Sequence, residues 1–143
     1  MNFTFGSTLQ STHNSEKIDN ATRSTTSKLN LKYSFELTKL SRFVYPYHTE
    51  EHLIFANTMH IYLWLLDDYV DSTSISLSGR RHVLDESLNY VTFLTPLSLD
   101  CNPITQLLES LLAQLTDPDL HSYIREQLQQ YLQGVGQHLN LKN

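Results

Sequence analysis

The spacing of large apolar residues predicts helices along most of the chain. From residue 28 onward, apolar residues recur three or four positions apart, which places them on one face of an α-helix. The pattern predicts one helix that ends before Pro46, a second from 49 to about 71 and a third from about 80 to 94. Two further helices are predicted to begin at 103 and at 118. The first of these carries on one face Tyr33, Leu37, Leu40 and Val44. No segment alternates as a half-buried strand would, so we predict an all-α protein.

Local residues mark where these helices begin and end. A helix cannot readily continue into Pro46, because the residue before a proline avoids the helical region. Asn102 and Asp117 each precede a proline, and an N-cap followed by proline is typical of a helix start. We expect the last helix to end or fray at the glycines at 134 and 136. Its inward face is predicted to carry Leu120, Ile124, Leu128, Tyr131 and Leu132.

The first 27 residues differ in composition from the rest of the chain. Fourteen of them are Ser, Thr or Asn, and large apolar residues are sparse. Such a stretch buries too little apolar surface to offset its ordering entropy. We therefore predict a disordered tail over 1–27, with a folded lead-in segment as the alternative, and one helical domain over 28–143.

Charge and composition exclude several classes of protein. The 143 residues carry a net charge of -5, which argues against a nucleic-acid partner. Cys101 is the one cysteine, so an internal disulfide framework and a CxxC zinc or redox site are excluded. The longest nearly apolar stretch, Leu53–Leu66, falls short of the roughly 20 residues of a membrane span. No secretory signal is visible, and we expect a cytoplasmic protein without a membrane span.

Three aspartates at the end of the second main helix are the strongest candidate site. Asp67 and Asp71 are four residues apart and share one helix face, while Asp68 projects about 100° away. The helix dipole disfavours negative charge at this C-terminal end, so we expect a compensating cation. Mg²⁺ suits the role, because it binds carboxylate oxygens together with substrate phosphates. The alternative is that the three carboxylates are simply hydrated at the surface.

The residues around this cluster carry a family resemblance. The Tyr45-Pro46 pair precedes a helix that starts with Glu50 and Glu51, continues with apolar and aromatic residues, and closes with the aspartates. From about Arg42 to Asp71 the chain resembles the front of class I terpene synthases of the microbial type. The resemblance implies a partial isoprenoid-synthase-type helical bundle of about five helices. It also implies Mg²⁺ and a prenyl diphosphate substrate, with farnesyl diphosphate favoured, whose carbocation is cyclised to a terpene.

The resemblance also implies roles for individual residues. Asp67 would be the principal Mg²⁺ ligand, Asp71 a weaker or indirect one, and Asp68 a partner for an arginine. The helix face that bears Asp67 also bears three candidates for the wall of a substrate cavity, Trp64, Leu63 and His60. Aromatic faces stabilise cations, which favours Trp64 in this role. Ordinary packing in the core is the alternative for Trp64 and the favoured interpretation for His60.

The family's second metal motif, Asn-Asp-x-x-Ser-x-x-x-Glu, does not occur in these 143 residues. The segment with the most similar spacing runs from Cys101 to Glu109. Its first position is a thiol, which is a poor Mg²⁺ ligand, and Pro103 lies near its start. We therefore expect the N-terminal part of a synthase, from a truncated gene model or a decayed copy, that is inactive alone. An exposed apolar flank is expected to promote self-association. The alternative is a non-catalytic helical protein that binds partners through this flank.

Two further patterns are weighed against this interpretation. His48 and His52 match the HxxEH spacing of zinc peptidases, but His48 precedes the predicted cap at Thr49 and falls outside the helix. Arg80 and Arg81 suggest a chain-elongating prenyl diphosphate synthase, in which the pair comes sooner after the aspartates. A solvated first turn is the favoured interpretation of the two arginines.

Overall fold

The computed structural model describes residues 15–26 and 49–141, and most of these residues lie in helices. The helices are α1 (Ser15–Thr26), α2 (Glu50–Asp71), α3 (Leu77–Phe93), α4 (Pro103–Ala113) and α5 (Pro118–Leu141). No strand occurs in the described ranges, which confirms the all-α class. The helix predicted before Pro46 lies outside them. None of the described helices combines the length and apolar character that crossing a membrane requires.

Helix α1 lies within the stretch predicted to be a disordered tail. The structure replaces that prediction with a helix over Ser15–Thr26, while the rest of 1–27 lies outside the described residues. One face of α1 is buried through Ile18, Asp19 and Thr22. The Thr22 hydroxyl donates to the Ile18 carbonyl oxygen at 2.8 Å. Composition alone does not reveal this helix, because its buried face depends on contacts with other parts of the chain.

The chain divides into two compact units, residues 1–61 and 62–143. In the first unit, α1 lies beside the first half of α2, where the Asn57 side-chain amide donates to the Thr22 hydroxyl at 3.4 Å. In the second unit, α3 packs against both α4 and α5. The core of the second unit consists mainly of leucines, with Leu108, Leu111, Leu112 and Leu132 fully buried or nearly so.

Helix α2 is buried over only part of its surface. Its buried residues follow helical spacing and are Leu53, Asn57, Thr58, Ile61, Tyr62, Leu66 and Val70. Trp64 lies on the helix face of Asn57 and Ile61, seven and three residues after them, and is nevertheless 58% exposed. A high apolar content does not by itself supply neighbours along the whole length of a helix.

The helix starts confirm the capping signals in the sequence. Asn102 accepts a hydrogen bond from the Ile104 amide at 2.9 Å, and Asp117 accepts one from the Asp119 amide at 2.9 Å. Helix α3 begins at Leu77, three residues before the predicted start at Arg80. The reason is Ser76, whose hydroxyl accepts from the Gly79 amide at 3.1 Å and caps the helix.

Helix α5 departs from the prediction at both ends. It continues through both glycines to Leu141, and Leu139 in its last turns is buried. A Cβ at Gly134 or Gly136 would meet nothing within 4 Å, so both glycines lie on an open side of the helix. Burial of Leu139 offsets the cost of about 1 kcal/mol per helical glycine. At the other end, Leu120 is 40% exposed rather than inward, while Leu128 and Leu132 are buried as predicted.

The C-terminal end of α3 is held by α5. Arg125 donates from Nε to the Val91 carbonyl oxygen and from Nη2 to the Thr92 carbonyl oxygen, both at 2.9 Å. The Gln129 amide donates to the Thr92 hydroxyl at 3.0 Å. Leu94 then takes the left-handed conformation, with φ 54° and ψ 30°, and its amide donates to the Tyr90 carbonyl oxygen. A charged side chain thus satisfies carbonyls that the helix itself leaves without partners.

We predict that Arg125→Met lowers the free energy of unfolding by about 2 kcal/mol, because the methionine loses both charge-assisted bonds to α3. Urea unfolding followed by far-ultraviolet circular dichroism measures the effect. Arg81→Met is the matched control and should change stability by less than about 0.5 kcal/mol. Equal losses in the two variants would contradict a special role for Arg125.

Candidate functional site

The C-terminal end of α2 places the three aspartates in solvent. Asp67, Asp68 and Asp71 are all exposed in the last turns of this helix. The same turns are anchored by Leu66 and Val70, which are buried and lie about 100° around the helix from Asp67 and Asp71, respectively. The buried residues therefore fix the direction of the helix, and the carboxylates remain accessible to a soluble ligand.

Arg80 brings one positive charge to the end of α2. Its Nη1 donates to the Val70 carbonyl oxygen at 3.0 Å, and a positive charge at this position opposes the dipole of the helix. Its Nε is buried without a hydrogen-bond partner. The interpretation of Arg80 as a solvated residue of the first turn is therefore wrong. The arginine partner predicted for Asp68 stays a prediction.

Tyr131 of α5 brings a phenol to the carboxylates. Burial raises the pKa of Tyr131 above its ordinary value of 10.0, and the negative charges of Asp67 and Asp71 raise it further. These two carboxylates are the pair predicted to share a helix face. The tyrosine is sixty or more residues away from the aspartates in sequence. The spacing of apolar residues in its helix predicted only that it faces inward.

A second tyrosine lies deeper in the same unit. Tyr62 is fully buried, its hydroxyl lacks a well-formed hydrogen bond, and burial raises the pKa of this phenol strongly despite the nearby Ser87. The hydroxyls of Ser87 and Thr105, which are also buried, lie 3.5 Å apart. Tyr62 is therefore neutral at all ordinary pH values and acts as part of the core.

The three residues predicted to line a substrate cavity occupy different environments. Trp64 is exposed, Leu63 is half-buried, and His60 is half-buried. The Nδ1 of His60 lies 2.8 Å from the Ala56 carbonyl oxygen of its own helix. This contact agrees with a histidine whose polar atoms are satisfied locally. The cavity role of all three stays a prediction.

Within residues 15–26 and 49–141, no three His, Cys, Asp or Glu side chains converge into a metal-binding group. Magnesium does not require such a group, since it is typically held by one or two carboxylates plus waters and phosphates. Asp67 and Asp71, two oxygen donors one turn apart, fit this chemistry. Burial raises the pKa of the Cys101 thiol, which keeps this sulfur neutral and unsuited to magnesium.

The start of α2 bears on the zinc-peptidase pattern. Thr49 accepts a hydrogen bond from the His52 amide at 3.3 Å, so α2 begins after Thr49 as predicted. His48 lies outside the described residues.

Comparison with known proteins gives no match. No family model matches the chain, and neither a curated protein nor a solved structure matches it. The family resemblance therefore depends on the residues between Arg42 and Asp71.

We predict that Asp67→Asn and Asp71→Asn each lower the pKa of Tyr131, because each removes a negative charge that disfavours the tyrosinate. Carbon-13 NMR of labelled tyrosine over an alkaline titration measures the shift, and Tyr131→Phe identifies the signal. Asp68→Asn is the control, since Asp68 does not contribute to the raised pKa. An equal shift in all three asparagine variants would show that the tyrosine senses only net charge.

Proposed function

We propose that the chain is the front part of a class I terpene synthase, in which Asp67 and Asp71 bind Mg²⁺ together with the diphosphate of a prenyl substrate. The observation that carries the proposal is the end of α2, where these exposed carboxylates lie one turn apart and together raise the pKa of Tyr131. Farnesyl diphosphate is the favoured substrate. The proposal places the protein in the cytosol, where Cys101 stays reduced.

The proposed chemistry is departure of the diphosphate leaving group. When bound, Mg²⁺ would supply the charge that neutralises the leaving oxygens. The bond between carbon and oxygen breaks, the diphosphate keeps both electrons, and an allylic carbocation remains. The role of the chain is to hold the carboxylates in solvent, where the repulsion between their charges stays small. Arg80 supports this arrangement by holding the last turn of α2 through the Val70 carbonyl. Trp64 is the candidate to face the cation.

We predict that Mg²⁺ with pyrophosphate stabilises the chain against heat and that Asp67→Asn abolishes the effect. At ten times the dissociation constant, binding adds about 1.4 kcal/mol to the stability of the folded state. For a chain of this size the melting temperature should rise by about 4 °C. Differential scanning fluorimetry with Mg²⁺ alone, pyrophosphate alone and both together measures the shift.

The matched control for this experiment is Asp85→Asn. Asp85 is also an exposed aspartate on a helix, so the variant changes net charge equally while leaving the end of α2 intact. It should keep the full shift. An equal rise in melting temperature in both variants would show that the stabilisation is a general response to ions.

We expect these 143 residues alone not to turn over farnesyl diphosphate, because they lack the family's second metal motif. Gas chromatography of an extract from an incubation with Mg²⁺ and farnesyl diphosphate tests this. Hydrocarbon formation above an Asp67→Ala control would contradict the expectation. Longer diphosphate esters as products would instead favour a chain-elongating synthase.

A non-catalytic partner-binding protein is the second candidate. The observation that favours it is the set of large apolar side chains left in solvent on α3, α5 and the loop after α3, namely Phe93, Leu94, Leu99, Leu120 and Tyr123. Such residues suit self-association or a partner's apolar surface. Absence of any shift with Mg²⁺ and pyrophosphate in the unmodified chain would favour this candidate.

A further inference from the structure

Helix α1 docks on α2 through polar contacts. Its buried face combines one large apolar residue, Ile18, with Asp19 and Thr22. On α2, the buried residues of the first unit are likewise mixed and consist of Leu53, Asn57, Thr58 and Ile61. The burial of one isoleucine is small beside the entropy lost on ordering a helix of 12 residues.

Two contacts show the relative direction of α1 and α2. Lys17 Nζ is 3.6 Å from the Glu50 carboxylate, and farther along both helices the Asn57 amide donates to the Thr22 hydroxyl. Both partners advance in the same direction, so the two helices run parallel. The ion pair is largely exposed on the lysine side and therefore contributes little.

The buried contact is a relay of two hydrogen bonds. The Asn57 amide donates to the Thr22 hydroxyl, which in turn donates to the Ile18 carbonyl oxygen of its own helix. The relay selects one register of α1 on α2, since a buried amide that loses its acceptor is costly. Once α1 leaves, water can satisfy the same groups, so the mixed face of α2 tolerates exposure better than an apolar face would.

We infer that α1 is a reversible strap on α2, positioned by the Thr22–Asn57 hydrogen bond and released as a unit while the helices of residues 62–143 stay folded. A helix of this length is marginal in water without its docking contacts. Release of α1 therefore melts it and removes the Thr22 acceptor from Asn57. The strap goes beyond the proposed function, since the Thr22–Asn57 hydrogen bond that positions it does not involve Asp67 or Asp71.

Hydrogen exchange of the full chain, resolved by NMR or by mass spectrometry of peptides, tests the strap. In the unmodified protein, the amides of α1 should exchange at least about a hundredfold faster than those of α4 after correction for intrinsic rates. Their exchange should also be independent of urea at low concentration, because local release exposes little surface. Exchange of α1 as slow as that of α4, with the same urea dependence, would overturn the inference.

Two variants test the role of the relay. Asn57→Ala should speed exchange across α1 about tenfold, the effect of one lost buried hydrogen bond, and leave α4 unchanged. Thr58→Val is the matched control, because the buried Thr58 hydroxyl donates within its own helix to the Ile54 carbonyl oxygen at 2.8 Å. Equal acceleration of α1 in both variants would overturn the assignment of the relay. Thr22→Val provides a second test from the α1 side and should match Asn57→Ala.

Discussion

The hydrogen bonds between Arg125 and the end of α3 are the interaction on which the second unit depends. The two carbonyls of Val91 and Thr92 are left without helical partners, and one guanidinium satisfies both. Because the arginine is fixed, the following turns of α5 place Leu128 and Leu132 in the core. Tyr131 lies between these two leucines in sequence, and its phenol is within reach of the negative charges of Asp67 and Asp71, which raise its pKa. The geometry of the candidate site is thus a consequence of how α5 is held.

The end of α2 combines opposing electrostatic demands. Backbone carbonyls and three carboxylates concentrate negative charge there, and Arg80 opposes only part of it. The carboxylates avoid a large penalty because they remain in water, where the repulsion between them is screened. A ligand that brings two positive charges would complete the balance, which is the physical basis of the proposed magnesium site.

Sequence patterns predicted those parts of the fold that local chemistry determines. Asn102 and Asp117 cap their helices as expected, since an N-cap acts over three residues. Helix α1 was missed because its order comes from docking on α2 rather than from its own apolar content. The extension of α5 was missed because Leu139 outweighs two glycines, a comparison that requires the tertiary structure. For the same reason, the aspartates could be found from the sequence, whereas the approach of Tyr131 could not.

The end of α3 shows how one helix boundary can belong to two elements. Leu94 holds a left-handed conformation that costs a residue with a side chain about 1 kcal/mol, and no glycine or asparagine stands there to ease it. Pro96 follows two residues later and has no amide to donate to the Thr92 carbonyl, so α3 cannot continue as a regular helix. Arg125 of α5 donates to that same carbonyl and so replaces the donor that the proline lacks. The end of α3 is therefore set by the local sequence, and α5 uses the carbonyls that this end leaves free to bond.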